Sequence, residues 1–523
     1  MELAGFQDRR TQNAEAIATY HQALTLDSRV TRARLELCRL YSPNRTNEPV
    51  RAKAEGEQAL NTYRRLGDKA GEAQALFCLV DVLRVGSAAE RAQALTYATS
   101  ALEILDSIGH EYNRARAENY VALIAGSGGD MPAAVTHWER ALAGARATGN
   151  RLLTPRVLNN LGVAYQALGD RARAVESYRQ SYALNEELGD QQEAARTRAN
   201  AGAILIEYGN IEEGLRDVQS AQRVAENLTD KTFEVLCLQL IAAYHRQTGR
   251  YDEATRVLTQ ALNIAVERGL ATRMISSSID LARVHLDAGR YEEARGLLVK
   301  ALTDESGRES QRAHALLGLA HLRVGRFDAA ESEFALAMKD VRRRGDVLPF
   351  LRLSLGELAY ERGQMERAKE ELRLAATTRS EGGLSDSASA EAGALLDVLT
   401  ASVSARSGID ACIRESEEKR RLSLQTRCRV YQARASVRQG ASAMALEALS
   451  HVPSTSGFDP GPEVLAQIHH WRAVALATMG KSAEAASERA RASAAIATVR
   501  QALPSRDQQT FLMRRDLRAY SPN

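Results

Sequence analysis

Two stretches of this chain read almost alike: Gly249-Arg250-Tyr251-Asp252-Glu253-Ala254 and Gly289-Arg290-Tyr291-Glu292-Glu293-Ala294. They open 40 residues apart, and the same spacing carries the leading glycine back through Gly209, Gly169 and Gly129. With slightly different spacing it continues at Gly325, Gly363, Gly440 and Gly480. Five residues after each glycine stands a small residue: Ala134, Ala174, Gly214, Ala254, Ala294, Ala330, Ala368, Ala445 and Ala485. Seven before the first five stand Ala122, Gly162, Gly202, Ala242 and Ala282. A period in this range marks a stacked repeat.

Each turn glycine lies between two stretches of helical periodicity. Around Gly249, Phe233, Leu236, Leu240 and Ile241 lead into the turn, and Ala254, Leu258, Ala261 and Leu262 leave it, the spacing of one apolar helix face. Glycine ends the helix and supplies the left-handed backbone of a tight turn. Small neighbours let the two helices approach closely. Larger side chains fill the seam two past the turn, at Met131, Ile211, Tyr251, Tyr291, Phe327 and Met365. A second ladder runs nine past it, through Trp138, Tyr178, Val218, Leu258, Leu298, Phe334 and Leu372. Between units a further glycine recurs at Gly67, Gly109, Gly149, Gly189 and Gly269; at Thr229 it is missing, but Asp230 can still cap the next helix. The expectation is an all-α protein, an α-solenoid of antiparallel helical hairpins with about twelve or thirteen units.

The run Leu161-Gly162-Val163-Ala164-Tyr165, followed by Gly169-Asp170 and Ala174, resembles the tetratricopeptide repeat, and the turns at Gly249 and Gly289 closely match that family's turn. The usual unit has about 34 residues. The longer period resembles the variants in kinesin light chains and in the sensor regions of bacterial signalling ATPases and kinases. HEAT and armadillo repeats are of similar length but lack the Gly-x-aromatic-x-x-Ala turn. The signature positions by this resemblance are Gly129, Gly162, Gly169, Ala174, Gly209, Gly249, Tyr251, Ala254, Gly289, Tyr291, Ala294, Gly325, Ala330, Gly363, Ala368, Gly480 and Ala485. The resemblance implies a right-handed superhelix whose first helices line a concave groove for a protein or peptide. It does not say which partner, because the fold hosts many.

Composition agrees: 44% apolar, 26% charged and only 10 Pro in 523 residues. The formal net charge is +3 and no basic arm is interleaved with aromatics, so no nucleic acid is expected. There is no apolar run of about 18 residues and no secretory signal, so the reading is cytoplasmic with no membrane. Residues 1–380 read as the regular array, with an insertion near 42–50; 381–503 as divergent units around Gly408 with a loop at 453–462; and 504–523 as a capping segment. In the divergent part, Glu391 to Ser404 and Ile409 to Leu422 are expected as helices. The first repeat looks truncated, since Ala16, Tyr20 and Ala23 already fit a second helix. That suggests an effector domain preceding the array, or a degenerate first unit.

No catalytic site, cofactor or metal is expected. The chain lacks the phosphate-loop, H-E-x-x-H and G-x-S-x-G patterns. His245, His285 and His321 each precede a turn glycine by four residues, a register that faces the partner helix and favours packing. His469 and His470 are adjacent, which reads as surface because helix neighbours point about 100° apart. Cys38, Cys78, Cys237, Cys412 and Cys428 form no C-x-x-C pair and read as reduced packing residues. The basic runs Arg342-Arg343-Arg344 and Lys419-Arg420-Arg421 read as helix-end cations.

Recognition remains. Arg116, Arg156 and Arg196 recur at the repeat period, Asn160 and Asn200 lie one turn beyond the last two, and Asn119 and Asn159 form a parallel ladder. Arginine forks carboxylates and asparagine pairs with both groups of a peptide backbone. By family resemblance this set is a peptide clamp on the concave face, though Tyr120, Leu240 and Asp280 interrupt it. The alternative is a solvated Arg face tied to neighbouring Glu. Two functions follow: a non-catalytic interaction scaffold of a bacterial signalling regulator, or a sensor that encloses a small ligand or peptide within the superhelix and controls a fused or associated effector. A buried, mixed polar and apolar pocket would support the second; an open groove, the first.

Overall fold

A computed structural model describes residues 2–27, 30–43, 45–208, 210–303, 308–339, 347–378, 387–400, 406–515 and 517. Gly209, Arg342 to Arg344 and the Gly- and Ser-rich stretch 381–386 lie outside the described residues. The rest is helical, with 26 helices and no strand among the described residues. The chain divides into two compact units, Met1–Ala201 and Gly202–Asn523.

The first unit opens with α1 (Glu2–Leu26), α2 (Thr31–Tyr41), α3 (Pro49–Leu66), α4 (Lys69–Leu83) and α5 (Ala88–Ser107). It continues through α6 (Glu111–Ser127), α7 (Met131–Ala147), α8 (Leu153–Ala167), α9 (Arg171–Glu187) and the start of α10 (Gln191–Tyr208). The expected clipped hairpin at the start is a single helix, α1. Successive helices from α2 to α9 pack as hairpins, and α6 also touches α8. Trp138 and Tyr178 are buried in the seams, as their register requires.

The second unit runs through α11 (Ile211–Asn227), α12 (Lys231–Gln247), α13 (Tyr251–Glu267), α14 (Ala271–Asp287), α15 (Tyr291–Leu302) and α16 (Arg308–Arg323). Then come α17 (Phe327–Met338), α18 (Leu348–Glu361), α19 (Met365–Thr377), α20 (Ala388–Thr400) and α21 (Ser407–Glu418). The last are α22 (Leu422–Arg438), α23 (Ser442–Ser450), α24 (Pro462–Thr478), α25 (Ser482–Ala502) and α26 (Ser505–Leu512). The even-numbered helices α12 to α24 touch in succession, and α12 also touches α22, so this row closes on itself.

The turn glycines behave as the period demands. Gly249 takes φ 69°, and the same left-handed backbone recurs at the other described turn glycines. Thr229 adopts φ 55° in place of the missing glycine, and Asp230 accepts from the Phe233 N–H at 3.0 Å. Gly408 departs from expectation. It sits in the first turn of α21, where a Cβ would stand 2.5 Å from the Gly393 carbonyl carbon. It therefore permits a helix crossing and marks no interhelical turn.

Closure of the second unit comes from its C-terminal helices. Phe511, Leu517, Ile496 and Val499 join the apolar cluster that contains Phe334, Leu316 and Leu298. Burying each large side chain contributes about 2 kcal/mol. The loop 453–462 seats on the repeat turns: the Asp459 N–H donates to the Gly249 carbonyl at 2.9 Å.

The cysteines correct the sequence reading. Cys38 on α2 and Cys78 on α4 form a disulfide across 40 residues, and Cys412 on α21 pairs with Cys428 on α22 across 16. Cys237 is buried and belongs to neither disulfide. The separation of Cys38 and Cys78 equals one repeat, which places them in the same register on neighbouring first helices. Loop closure alone assigns about 4 and about 3 kcal/mol to the two bonds. Thiol titration of the unfolded, unreduced chain is expected to find one thiol, and peptide mapping to recover both cross-linked pairs. Five free thiols would refute the pairing.

Candidate functional site

The first unit carries a groove of about 840 Å³, lined from α4, α6, α8, α9 and α10. It contains five of the seven ladder residues: Arg116, Asn119, Arg156, Asn159 and Asn160. Arg196 and Asn200 lie on α10 outside its lining. The helical period brings the ladder together, because positions 40 apart share a face of successive first helices.

The ladder is partly self-satisfied. Asn160 Nδ2 donates to Asn119 Oδ1 at 3.4 Å, and Asn200 Nδ2 donates to Asn159 Oδ1 at 3.2 Å. Trp138 Nε1 also donates to Asn119 Oδ1, at 3.1 Å. The amides thus tie neighbouring repeats to one another. Asn159 Nδ2 and Asn160 Oδ1 keep their pairing capacity among the described residues. Arg116 lies over the Phe77 ring at 4.8 Å and donates to the Tyr120 hydroxyl at 3.0 Å. That hydroxyl donates in turn to Asp81 at 2.7 Å, and burial pushes the Tyr120 phenol up to about 12. Arg156 is different. It is exposed and makes no ion pair or side-chain hydrogen bond among the described residues.

The second unit holds a chamber of about 360 Å³ lined by every even-numbered helix from α12 to α24. Sequence reasoning missed it. Eight arginines and five acidic residues line it, beside Tyr360, Tyr431, Trp471 and several leucines. Four acids are matched: Asp287 to Arg246 at 3.1 Å, Glu357 to Arg323 at 3.0 Å, Glu391 to Arg427 at 2.9 Å and Glu463 to Arg514 at 2.7 Å. The fifth, Glu361, accepts from the Arg515 backbone N–H. Burial pulls Arg323 and Arg427 down, but their carboxylate partners outweigh it and hold both above the ordinary value. Arg283 and Arg438 go the other way: burial, reinforced by neighbouring guanidiniums, lowers both. The signal available in the sequence was slight, since Arg246 and Arg323 look like ordinary last-turn cations.

Two further expectations change here. His470 is not a surface residue; it lines the chamber, and burial with the Arg434 and Arg489 charges pushes it down to about 4. His469 instead sits 2.6 Å from Glu488. Arg420 and Arg421 do more than end a helix. Arg421 is buried and donates to the Glu207 carbonyl at 2.6 Å, and Arg420 pairs with Glu212 at 3.2 Å. His245, His285 and His321 are held below the ordinary imidazole value by burial, each with Nδ1 buried and unpartnered. This fits packing against the partner helix. No group of three or more His, Cys, Asp or Glu suited to a metal occurs among the described residues.

Models of the tetratricopeptide repeat match residues 113–187, 236–272, 276–299 and 311–335. The chain is a tetratricopeptide-repeat protein. The first match covers most of the groove. No curated protein matches the chain. Among solved structures, this repeat protein is similar to the APC/C hetero-tetramer Cut9–Hcn1, at 15% identity over 95% of this chain and 94% of the other, with a TM-score of 0.49. It is also similar to the apo quorum sensor NprR of B. thuringiensis, at 15% identity over 63% and 96%, with a TM-score of 0.46. A third is the Rap conjugation gene regulator of plasmid pLS20 in complex with the Phr* peptide, at 15% identity over 64% and 92%, with a TM-score of 0.47. No helix among the described residues is long and apolar enough to cross a membrane.

Proposed function

We propose that this repeat protein is a non-catalytic interaction scaffold that grips an extended, acidic peptide segment of a partner in the groove of its first unit. The carrying observation is Arg156, an exposed guanidinium without a partner beside the Asn159 and Asn160 amides. Its fork suits a carboxylate, and the amides suit a peptide backbone. Peptides selected from a displayed random library on the full chain are expected to carry Asp or Glu. Arg156→Glu is expected to weaken them at least about tenfold, or about 1.4 kcal/mol, with the fold intact by circular dichroism. Selected peptides that bind Arg156→Glu as tightly as the native chain would sink the clamp.

The chamber in the second unit supports a second reading, a sensor that encloses a small ligand. Its volume lies within the range of small-molecule sites, and its lining mixes leucine and aromatic walls with many charged groups.

A further inference from the structure

We infer that the chamber of the second unit binds a small organic anion, a carboxylate or phosphate ester on a planar ring, held by Arg434 and Arg438. This rests on the small-ligand reading above and names the class of ligand. Five carboxylates line the chamber, and each already has a partner. Eight arginines face them, so the lining carries three positive charges in excess. Arg434 and Arg438 meet no carboxylate among the described residues. Arg434 Nη2 donates to the Tyr360 hydroxyl at 2.8 Å, and Arg438 Nη1 to the Val398 carbonyl at 2.7 Å. Both acceptors are neutral. Arg434 Nε is buried with no partner at all.

Arg434 is half-buried while Arg438 is exposed. A half-buried cation without a counter-charge is costly, and an anion beside Arg434 would remove that cost. The walls say what else the ligand carries. Arg434 lies 5.4 Å from the Tyr360 ring and 5.8 Å from the Trp471 ring, so its charge sits among flat aromatic surfaces. Leu319, Leu353 and Leu395 complete the apolar side. A planar ring packs there while its charged group meets the guanidiniums. Burial first, and then the Arg434 and Arg489 charges, keep His470 neutral, so its imidazole reports on any charge placed beside them.

Titration calorimetry on the full chain at low ionic strength tests this, with benzoate and phenyl phosphate as probes and benzamide and phenol as neutral counterparts. At least one anion is expected to bind saturably and the neutral pair not. Which anion binds distinguishes a carboxylate from a phosphate ligand. Arg434→Gln and Arg438→Gln are each expected to weaken binding at least tenfold. Neutral probes that bind as well as the anions would overturn the anion assignment and leave the small-ligand reading standing. No binding by any of the four would overturn both. Should the variants fail to fold, the native chain still decides. A bound anion is expected to raise the His470 imidazole above its value of about 4 in nuclear magnetic resonance titration, and an unmoved His470 would refute binding beside Arg434.

Discussion

Arg514→Ala is expected to detach the last helix from the second unit. Arg514 is 1% exposed, and its Nη1 and Nη2 fork Glu463 at 2.7 and 3.0 Å. Nη1 also donates to the Arg323 carbonyl at 2.6 Å, so one side chain joins α24, α16 and the segment after α26. Glu463 takes a further bond from the Tyr291 hydroxyl at 2.5 Å. Removing the cation leaves a largely buried carboxylate with one neutral donor, and breaking such a pair costs about 3–5 kcal/mol. Replacing both partners costs far less, so Arg514→Met with Glu463→Gln should recover part of the loss. In a repeat array the loss stays near its source. The measurement is amide hydrogen exchange, and protection over 505–515 should collapse while that over α12 and α13 holds. Unchanged protection over 505–515 would show that apolar burial of Phe511 and Leu517 alone seats the segment.

Gly325→Ala and Gly480→Ala should differ sharply, although the two backbones are nearly identical at φ 81° and 77°. Both substitutions pay the left-handed strain of about 1–2 kcal/mol. Around Gly480 a Cβ meets nothing within 4 Å. At Gly325 it would stand 2.8 Å from the Thr510 carbonyl carbon, where backbone must move. Overpacking adds about 1–3 kcal/mol. It would also strain the bond from Thr510 Oγ1 to the Val324 carbonyl, 3.0 Å, and the pair of Arg326 Nε with Asp507, 2.8 Å. Thermal unfolding of the two variants should therefore separate, with Gly325→Ala the lower. Equal midpoints would mean that α26 gives way freely.

The repeat was legible because every hairpin solves the same local problem. A glycine must turn the chain, small residues must let helices close, and a large residue must fill the seam. Gly249, Ala254 and Leu258 state all of this within ten residues. The groove ladder was legible for the same reason, since Asn119, Asn159 and Asn160 share a face through the period. What the ladder does was not. Only the packed helices show Asn160 spending a donor on Asn119 while Arg156 stays free. Cys38 and Cys78 were one repeat apart in plain view, yet the absence of a C-x-x-C pair concealed that register on adjacent first helices makes them neighbours.

Taken alone, the sequence determined the period, the helical hairpin, the turn positions and the buried seam, because each depends on residues within one or two repeats. The tertiary structure alone decided that the inner row of the second unit closes. It thereby brings Arg434 to Tyr360, Arg514 to Arg323 and Phe458 to Gly249. Small rotations between successive repeats accumulate along an array, and no single repeat encodes their sum. The charge excess of the chamber exists only after that sum is complete, when arginines from four helices and the closing segment face one space.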